Sequence, residues 1–164
     1  MNLEGKNIIV TGGSLGIGKE TAKALVDKGA NVLITGRSEE RLLKAKLYCN
    51  AETIEFDISD FDNIPKFAKE CLSVLENRVD VLINNAGIGV RSSIEELNID
   101  DFLKVFNVNV FGLSLFTKEI VPLMKENKSG TIINIGSTAS LKGYQTGSIY
   151  SASKFAVRCL SQCW

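Results

Sequence analysis

The sequence contains no histidine, and this absence removes several kinds of catalytic site. Mechanisms that use a Ser-His-Asp or Cys-His arrangement need an imidazole as the base, so they are excluded. The four cysteines form no C-x-x-C pair, and without histidine a zinc site has almost no support. We expect these cysteines to be small apolar residues of a protein kept in a reducing compartment.

Net charge and long apolar runs are also missing. The 164 residues include nineteen basic and nineteen acidic ones, so no net field attracts nucleic acid or an anionic membrane. The apolar runs are too short to span a bilayer, and Met1–Gly5 does not have the pattern of a signal peptide. We therefore expect a single cytoplasmic domain over residues 1–164 that binds no nucleic acid, membrane or metal.

The segment Thr11–Gly18, TGGSLGIG, is the most informative part of the sequence. It follows an apolar run, Ile8–Val10, and precedes residues with helical spacing, the order of strand, turn and helix that opens a dinucleotide-binding unit. In such a unit Gly12 allows a sharp turn, Gly16 lets the backbone approach a pyrophosphate, and Gly18 allows close packing of helix and strand. The first amides of the helix have no partner inside it and favour a bound anion.

An alternative interpretation is the phosphate-binding loop of nucleotide triphosphatases, because Gly13–Lys19 reads GSLGIGK. That loop, G-x-x-x-x-G-K-[ST], needs a hydroxyl directly after the lysine to hold magnesium. This chain has Glu20 there, and a carboxylate would repel the phosphates. We therefore rank a P-loop hydrolase well below the dinucleotide-binding interpretation.

Strand and helix patterns alternate along the chain. This order predicts an α/β fold with a doubly wound parallel sheet, Rossmann-like, covered by helices on both faces in three layers. The predicted strands lie near residues 7–11, 31–35, 53–57, 79–83 and 130–136. The predicted helices lie near residues 17–28, 39–49, 63–77, 99–127 and 149–164.

Polar residues follow three of the predicted strands, at the edge where open α/β sheets bind ligands. After the second strand, an enzyme that selects NAD usually has a carboxylate, but this sequence has Arg37, which suits the 2′-phosphate of NADP. Asp57 ends the third strand, and Asn84-Asn85-Ala86-Gly87 follows the fourth. All of these are also ordinary turn residues, so the binding interpretation depends on the glycine-rich loop. We expect NADP as the cofactor, with NAD as the less favoured alternative.

The predicted helix 99–127 is apolar on nearly every face between Phe102 and Met124. A helix that packs on a sheet by one face should have a wide polar outer stripe, and this one has none. We expect a second subunit to cover it, in a homo-oligomer formed through the helices near 99–127 and 149–164. Asn107 and Asn109 interrupt the apolar pattern, and an interior Asn is costly unless it is hydrogen-bonded.

A serine, a tyrosine and a lysine mark the last part of the chain. Ser137 follows the fifth predicted strand, and thirteen residues later the string YSASK begins, with Tyr150 and Lys154 at its ends. At a spacing of four residues, Tyr150 and Lys154 share one face of a helix.

Together these motifs resemble those of the short-chain dehydrogenases/reductases, in the single-domain branch whose glycine motif is TGxxxGxG. The resemblance covers the whole chain. It rests on the glycine-rich loop, Asp57, the NNAG of 84–87, Asn109, Ser137 and the Y-x-x-x-K of Tyr150 and Lys154, all in the family's order. The resemblance implies an oxidoreductase that interconverts a ketone and a secondary alcohol.

The resemblance also implies a role for each residue. Tyr150 would be the acid in carbonyl reduction and the base in alcohol oxidation, and the Lys154 ammonium would favour the phenolate and bind the nicotinamide ribose. Ser137 would hold the substrate carbonyl, and Asn109 would anchor a water that relays protons to Lys154. The hydride would come from the cofactor. The cofactor site would comprise Gly12, Ser14, Gly16, Ile17, Gly18, Arg37, Asp57, Asn85, Ala86, Gly87, Tyr150 and Lys154.

Members of this family continue beyond the helix that carries Lys154, with two further strands and the helices that close the substrate pocket. The sequence stops at Trp164, so we expect an incomplete domain that lacks these last strands. It would be either a fragment of a longer enzyme or a truncated product with cofactor affinity and little turnover. A non-catalytic nucleotide-binding or interaction module is the main alternative function.

Overall fold

A computed structural model describes residues 2–164, and Met1, the first residue of the segment Met1–Gly5 considered above, lies outside them. Its centre is a parallel sheet of five strands in the order β3-β2-β1-β4-β5. The strands are β1 Asn7–Thr11, β2 Asn31–Gly36, β3 Glu52–Glu55, β4 Val81–Asn84 and β5 Thr131–Asn134. This is the doubly wound, Rossmann-like α/β sheet that the sequence pattern predicts.

Helices join the strands and cover both faces of the sheet. They are α1 Gly16–Val26, α2 Glu39–Cys49, α3 Ile64–Val74, α4 Ile99–Phe106, α5 Leu113–Glu126 and α6 Ser148–Cys163. Short 3₁₀ turns occupy Phe61–Asn63 and Thr138–Ser140. None of the helices within residues 2–164 is both long and apolar enough to cross a membrane.

The sheet separates two buried apolar layers. Successive side chains of a strand point to opposite faces, so Ile9 belongs to one layer and Ile8 and Val10 belong to the other. The layer of Ile9 packs against α3 and α5, and the layer of Ile8 packs against α1 and α2. At the carboxyl edge of the sheet, the loops that follow β1 and β4 meet and are joined by hydrogen bonds.

The structure corrects the prediction of one α-helix over 99–127. A π-helical segment, Asn107–Gly112, lies between α4 and α5 in an otherwise continuous helical run. π-Helical turns are rare and occur frequently at functional sites. The apolar pattern did not reveal it, because apolar residues at helical spacing look the same whether or not one turn is widened. Asn109 lies inside this segment.

Several element ends differ from the predicted ones by a few residues. Helix α3 ends at Val74 rather than near 77, because Glu76 and Asn77 have φ angles of 53° and 54°, which no right-handed helix accommodates. Strand β5 ends at Asn134 rather than 136, because the Ile135 N–H makes the last bond to β4. Strand β5 forms one edge of the sheet.

Candidate active site

The strand order reverses between β1 and β4, and their carboxyl ends lie side by side at the centre of the sheet. Open α/β sheets bind ligands at such a switch point. Two cavities open there. The α6 cavity, of about 560 Å³, is lined by Tyr150 and Lys154 of α6, and the α2 cavity, of about 240 Å³, by Arg41 of α2. Gly12 and the segment 86–88 line both cavities, which therefore share one wall.

The glycine-rich loop approaches the loop after β4 so closely that side chains would not fit. A Cβ atom on Gly12 would lie 2.8 Å from Ala86 Cα, and one on Gly18 would overlap Asn85 Nδ2. Gly12 also has a φ angle of 66°, which favours glycine. At Gly16, whose φ angle is 53°, no described residue other than its chain neighbours and the backbone of its own helix lies within 4 Å of the Cβ position, so the backbone there is open to a ligand.

Helix α1 begins at this open space without a side-chain cap. Leu15 precedes it in extended conformation, and the first turn contains no acidic residue. The N–H groups of a first helical turn have no partners inside the helix and carry partial positive charge. Ile17, in that turn, is 69% exposed and lines the α6 cavity. An anion can therefore bind at the start of α1.

Asn85 joins the two loops of the shared wall. Its Nδ2 donates to the carbonyls of Thr11 and Gly12 at 2.9 and 3.1 Å. The N–H groups of Asn85 and Ala86 both donate to Thr11 Oγ1, at 3.1 Å each. Asn84, by contrast, is buried and donates into the core. Asn85 lines the α6 cavity and at the same time holds the glycine-rich loop in place.

The α2 cavity contains two arginines. Arg37, directly after β2, and Arg41 line it together with Ser14 and Asp57. None of the ion pairs within residues 2–164 involves either arginine. Asp57 Oδ1 accepts from the N–H and the hydroxyl of Ser59, at 2.9 and 2.6 Å. The two guanidinium groups are thus left to bind an anion.

Tyr150 and Lys154 lie one helical turn apart on α6. The Lys154 residue is only 5% exposed, and its Nζ donates to the Ile135 carbonyl at 2.7 Å. That nitrogen lies 5.9 Å from the centre of the Tyr150 ring. Burial lowers the pKa of Lys154 below its usual value. The ring of Tyr150 lies against Gly89, where a Cβ atom would be 3.2 Å from Tyr150 Cδ2.

Asn109 lies next to this pair. A Cβ atom on Gly87 would lie 3.4 Å from Asn109 Oδ1 and 3.6 Å from Lys154 Nζ, so both groups border the same small space. Asn109 is 1% exposed, and its Nδ2 donates to Ser153 Oγ at 3.0 Å and to the Ile88 carbonyl at 2.9 Å. The partners that an interior Asn requires are present.

Ser137 follows β5 and caps the 3₁₀ turn after it. Its Oγ accepts the Ala139 N–H at 3.1 Å, and its own N–H donates to Ser140 Oγ at 3.0 Å. Ile135 and Gly136 line the α6 cavity, but Ser137 is not among the lining residues of the described chain. The structure brings Tyr150, Lys154 and Asn109 together and leaves Ser137 one residue beyond the cavity wall.

The side chains after the glycine-rich loop contradict the triphosphatase alternative. The Nζ atom of Lys19 lies 4.4 Å from the centre of the Tyr48 ring, and Glu20 Oε2 accepts from the Tyr48 hydroxyl at 2.9 Å. Neither Lys19 nor Glu20 lines either cavity in the part of the chain described. A P-loop lysine must reach the phosphates, and Lys19 instead packs on α2.

The lining residues that were not predicted from the sequence include three with large polar or charged side chains: Arg41, Arg91 and Tyr144. Arg41 had a usable signal, because it lies four residues after Arg37 in the first turn of a helix whose start faces the ligand edge. Arg91 and Tyr144 lie in irregular loops, where no periodicity indicates the direction of a side chain.

Comparison with known proteins identifies the family. The sequence matches the family model described as short chain dehydrogenase over residues 6–164, so the chain belongs to the short-chain dehydrogenase family. It is 39% identical to dehydrogenase/reductase SDR family member 6 of Aquarana catesbeiana, over 94% of this chain and 62% of the relative. It is 32% identical to the NADP-dependent 3-hydroxy acid dehydrogenase of Schizosaccharomyces pombe, over 94% of this chain and 62% of the relative.

Solved structures give the same result for the fold. A short chain dehydrogenase/reductase family protein superposes with a TM-score of 0.93 at 34% identity, over 100% of this chain and 68% of that one. An NAD+-bound xylitol dehydrogenase superposes with a TM-score of 0.91 at 27% identity, over 99% of this chain and 65% of that one. The chain spans about half to two thirds of the length of the curated relatives it matches. It covers 51% of the 3-ketodihydrosphingosine reductase of Mus musculus and 65% of an oxidoreductase of Thermotoga maritima.

Proposed function

We propose that the protein is an NADP(H)-dependent oxidoreductase that interconverts a ketone and a secondary alcohol of a small molecule. One observation carries the proposal: Tyr150 and Lys154 line the same cavity as the start of α1. Groups suited to proton transfer and groups suited to binding an anionic cofactor thus lie along one wall. Residues 1–164 would form the dinucleotide-binding domain of this enzyme, without the family's last strands.

The residues of the two cavities fit a dinucleotide. The pyrophosphate would lie at the uncapped start of α1, beside the open backbone of Gly16. The adenosine end would lie in the α2 cavity and the nicotinamide end in the α6 cavity, beside Tyr150 and Lys154. The proposed cofactor-binding residues are Gly12, Ser14, Gly16, Ile17, Gly18, Arg37, Asp57, Asn85, Ala86, Gly87, Tyr150 and Lys154.

The proposed mechanism assigns proton transfer to this chain, while the bound nicotinamide supplies the hydride. The Tyr150 hydroxyl would donate a proton to the carbonyl oxygen in reduction and accept it in oxidation. The buried Lys154 would bind the nicotinamide ribose. Asn109 borders the space at Lys154 Nζ and would help to hold a water that relays the proton. Ser137 Oγ accepts from Ala139, and its O–H donates no hydrogen bond within residues 2–164, so it would be available to a substrate carbonyl.

The preference for NADP depends on Arg37. A guanidinium group binds a phosphate through two parallel hydrogen bonds, and Arg37 and Arg41 have no ion pair within residues 2–164 that would compete. The Schizosaccharomyces pombe relative is named as NADP-dependent, whereas the xylitol dehydrogenase is NAD+-bound. NAD is therefore the alternative cofactor.

The proposal includes a homo-oligomer formed through the helical run 99–127 and α6. Apolar side chains are exposed on these elements, with exposed fractions of 48% for Leu103, 44% for Phe111 and 42% for Phe155. A second copy of the chain would cover them and remove this surface from water. The cytoplasmic location expected from the composition stays a prediction.

The experiment that tests the proposal replaces Tyr150 by Phe in the natural full-length chain. This change removes only the hydroxyl, so packing should be kept and the proton donor lost. We expect NADPH oxidation with a panel of ketones to fall by on the order of 100-fold or more, while the Kd for NADPH changes little. Tyr48→Phe, outside both cavities, is the matched control. Retained turnover in Tyr150→Phe would refute the role of Tyr150, and NADPH binding without any wild-type turnover would favour the non-catalytic module.

A further inference from the structure

Two side chains of the α6 cavity, Arg91 and Tyr144, have no part in the proposed hydride transfer. Both line the cavity together with Tyr150. They lie on separate irregular segments, one after β4 and one before α6. Both are exposed, and Arg91 forms no ion pair within the described chain.

Arg91 lies on the Tyr150 side of the cavity. Residues 86–88 line both cavities, whereas residues 89–91 line only the α6 cavity. Gly89 is the residue against the Tyr150 ring. Two residues of extended chain cover at most about 7 Å, so the Arg91 backbone stays near that ring. Arg91 lines the α6 cavity, and from this backbone position its long side chain can reach the space beside the proposed acid/base.

Tyr144 lies on the second segment, which is tied to the first. Its ring packs on Gly147, where a Cβ atom would overlap the ring. The Thr146 carbonyl accepts the Ser92 N–H at 3.0 Å, which joins the segment of Tyr144 to the segment of Arg91. Thr146 has a φ angle of 62°, which is rare for a β-branched residue. Such strain persists only where surrounding contacts hold it, and it clusters at ligand sites.

The charged side chains that line the α6 cavity are all positive. Among residues 2–164 its lining contains two cationic side chains, Arg91 and Lys154, and no carboxylate. Lys154 is buried and bound to the Ile135 carbonyl. Arg91 is exposed, and its planar fork of five N–H donors matches a carboxylate or a phosphate.

We propose that Arg91 binds a carboxylate or phosphate group of the substrate, while the Tyr144 ring packs on the carbons that connect this group to the carbonyl. The inference rests on the proposed oxidoreductase function and names its substrate class. The substrate is an anionic carbonyl compound or the corresponding hydroxy compound. Arg91 and Tyr144 are binding residues that set specificity, and Tyr150 remains the acid/base.

The cofactor diphosphate is the other anion that Arg91 could bind, because the start of α1 lines the same cavity. The two possibilities differ in what Arg91→Ala changes. Loss of a substrate contact raises the KM for anionic substrates and leaves the Kd for NADPH nearly constant. Loss of a cofactor contact weakens NADPH binding equally for every substrate.

The test uses the natural full-length chain and two matched pairs of substrates. The pairs are acetoacetate with its methyl ester, and dihydroxyacetone phosphate with dihydroxyacetone; within a pair the carbonyl is kept and the anionic group is removed. We expect the wild type to prefer the anionic member of at least one pair by roughly 10- to 100-fold in kcat/KM, the range for a hydrogen bond to a charged group. Arg91→Ala should lose this preference, because the KM for the anionic member of the pair should rise. Lys142→Ala, an exposed basic residue beside Tyr144 that does not line the cavity, should keep it.

A second pair of variants tests the aromatic wall. Tyr144→Ala should lower kcat/KM for both members of the preferred pair, because it removes the packing surface. Tyr144→Phe should have a kcat/KM close to that of the wild type, because the ring is kept. If both variants lowered kcat/KM equally, the role proposed for the Tyr144 ring would be wrong.

Each remaining outcome decides the proposal. The same substrate preference in wild type and Arg91→Ala overturns it, as does a wild type without any preference. Weaker NADPH binding in Arg91→Ala with an unchanged preference also overturns it, because Arg91 then binds the cofactor.

If no carbonyl is turned over, the oxidoreductase proposal fails. Calorimetry of acetoacetate and dihydroxyacetone phosphate with the NADP-saturated protein then decides whether the anion site exists. Binding that Arg91→Ala abolishes supports the site, and no binding to the wild type overturns it.

Discussion

Asn109 pairs with both backbone groups of Ile88. Its Oδ1 accepts the Ile88 N–H at 2.8 Å, and its Nδ2 donates to the Ile88 carbonyl at 2.9 Å. A side-chain amide thus replaces the neighbouring strand that these backbone groups would otherwise need. Because Ile88 lines both cavities, an Asn inside the helical run holds their shared wall in position.

Asn109→Ala should therefore reduce stability and ligand binding together. The change leaves the Ile88 N–H and carbonyl without their partner, which costs roughly 1–3 kcal/mol of unfolding free energy. Chemical denaturation and NADPH titration would measure both effects. Asn107→Ala is the control, because Asn107 makes no side-chain hydrogen bond among residues 2–164. Equal stability of the two variants would mean that the bonds to Ile88 contribute nothing.

Arg37→Ala should reduce the affinity for NADPH more than that for NADH. If the guanidinium binds the 2′-phosphate, its loss costs about 1–3 kcal/mol with NADPH alone, the scale of charge-assisted hydrogen bonds. Fluorescence titration of both cofactors against the variant and the wild type measures this difference. Lys28→Ala, which changes an exposed charge outside both cavities, controls for net charge. Equal wild-type affinities for the two cofactors would exclude the assignment of NADP.

Asp80→Asn should lower stability at neutral pH and have less effect in acid. Burial alone would raise the pKa of Asp80, but the Asn7 N–H at 2.8 Å, Lys6 and Arg78 outweigh it and hold the pKa below its usual value. The charged carboxylate therefore stabilises the fold above the unfolded-state pKa of about 4, and this contribution is lost as pH falls through the lower folded-state pKa.

Denaturation of wild type and Asp80→Asn at pH 7, 5 and 3 would follow this dependence. We expect a difference of roughly 1–3 kcal/mol at pH 7 that persists at pH 5 and shrinks in stronger acid. Asp62→Asn, an exposed carboxylate without an ion pair among the described residues, is the control. A difference that grows as pH falls would contradict the lowered pKa.

The 164-residue chain, produced by itself, should self-associate through β5. This strand lies at the sheet edge, has no charged residue between Thr131 and Asn134, and leaves Ile133 42% exposed. An uncharged edge strand can pair with another chain. Light scattering should show oligomers that Ile133→Lys reduces. Ile94→Lys, at a residue that is 77% exposed but outside the sheet, should not reduce them. A monodisperse wild-type monomer would contradict the prediction, as would equal effects of both variants.

Much of the fold could be predicted because its signals are local. The run from Ile8 to Val10 and the glycines after it specify a strand and a turn through nearest-neighbour chemistry alone. Family resemblance then indicated Tyr150 and Lys154, which the structure places in one cavity. The π-helical segment around Asn109 was not predicted. One extra residue in a single turn does not visibly change the spacing of apolar residues along the sequence.

The sequence by itself determined the class of sheet, the glycine-rich loop and the pair on α6, since each depends on residues a few positions apart. Only the tertiary structure decided that Ser137 caps a turn beside the cavity, that Asn109 pairs with Ile88, and that Arg91 and Tyr144 line one space. Arg91 and Tyr144 are 53 residues apart in the chain. Their proximity follows from the packing of loops around strand ends, and no local pattern encodes a contact between segments so distant.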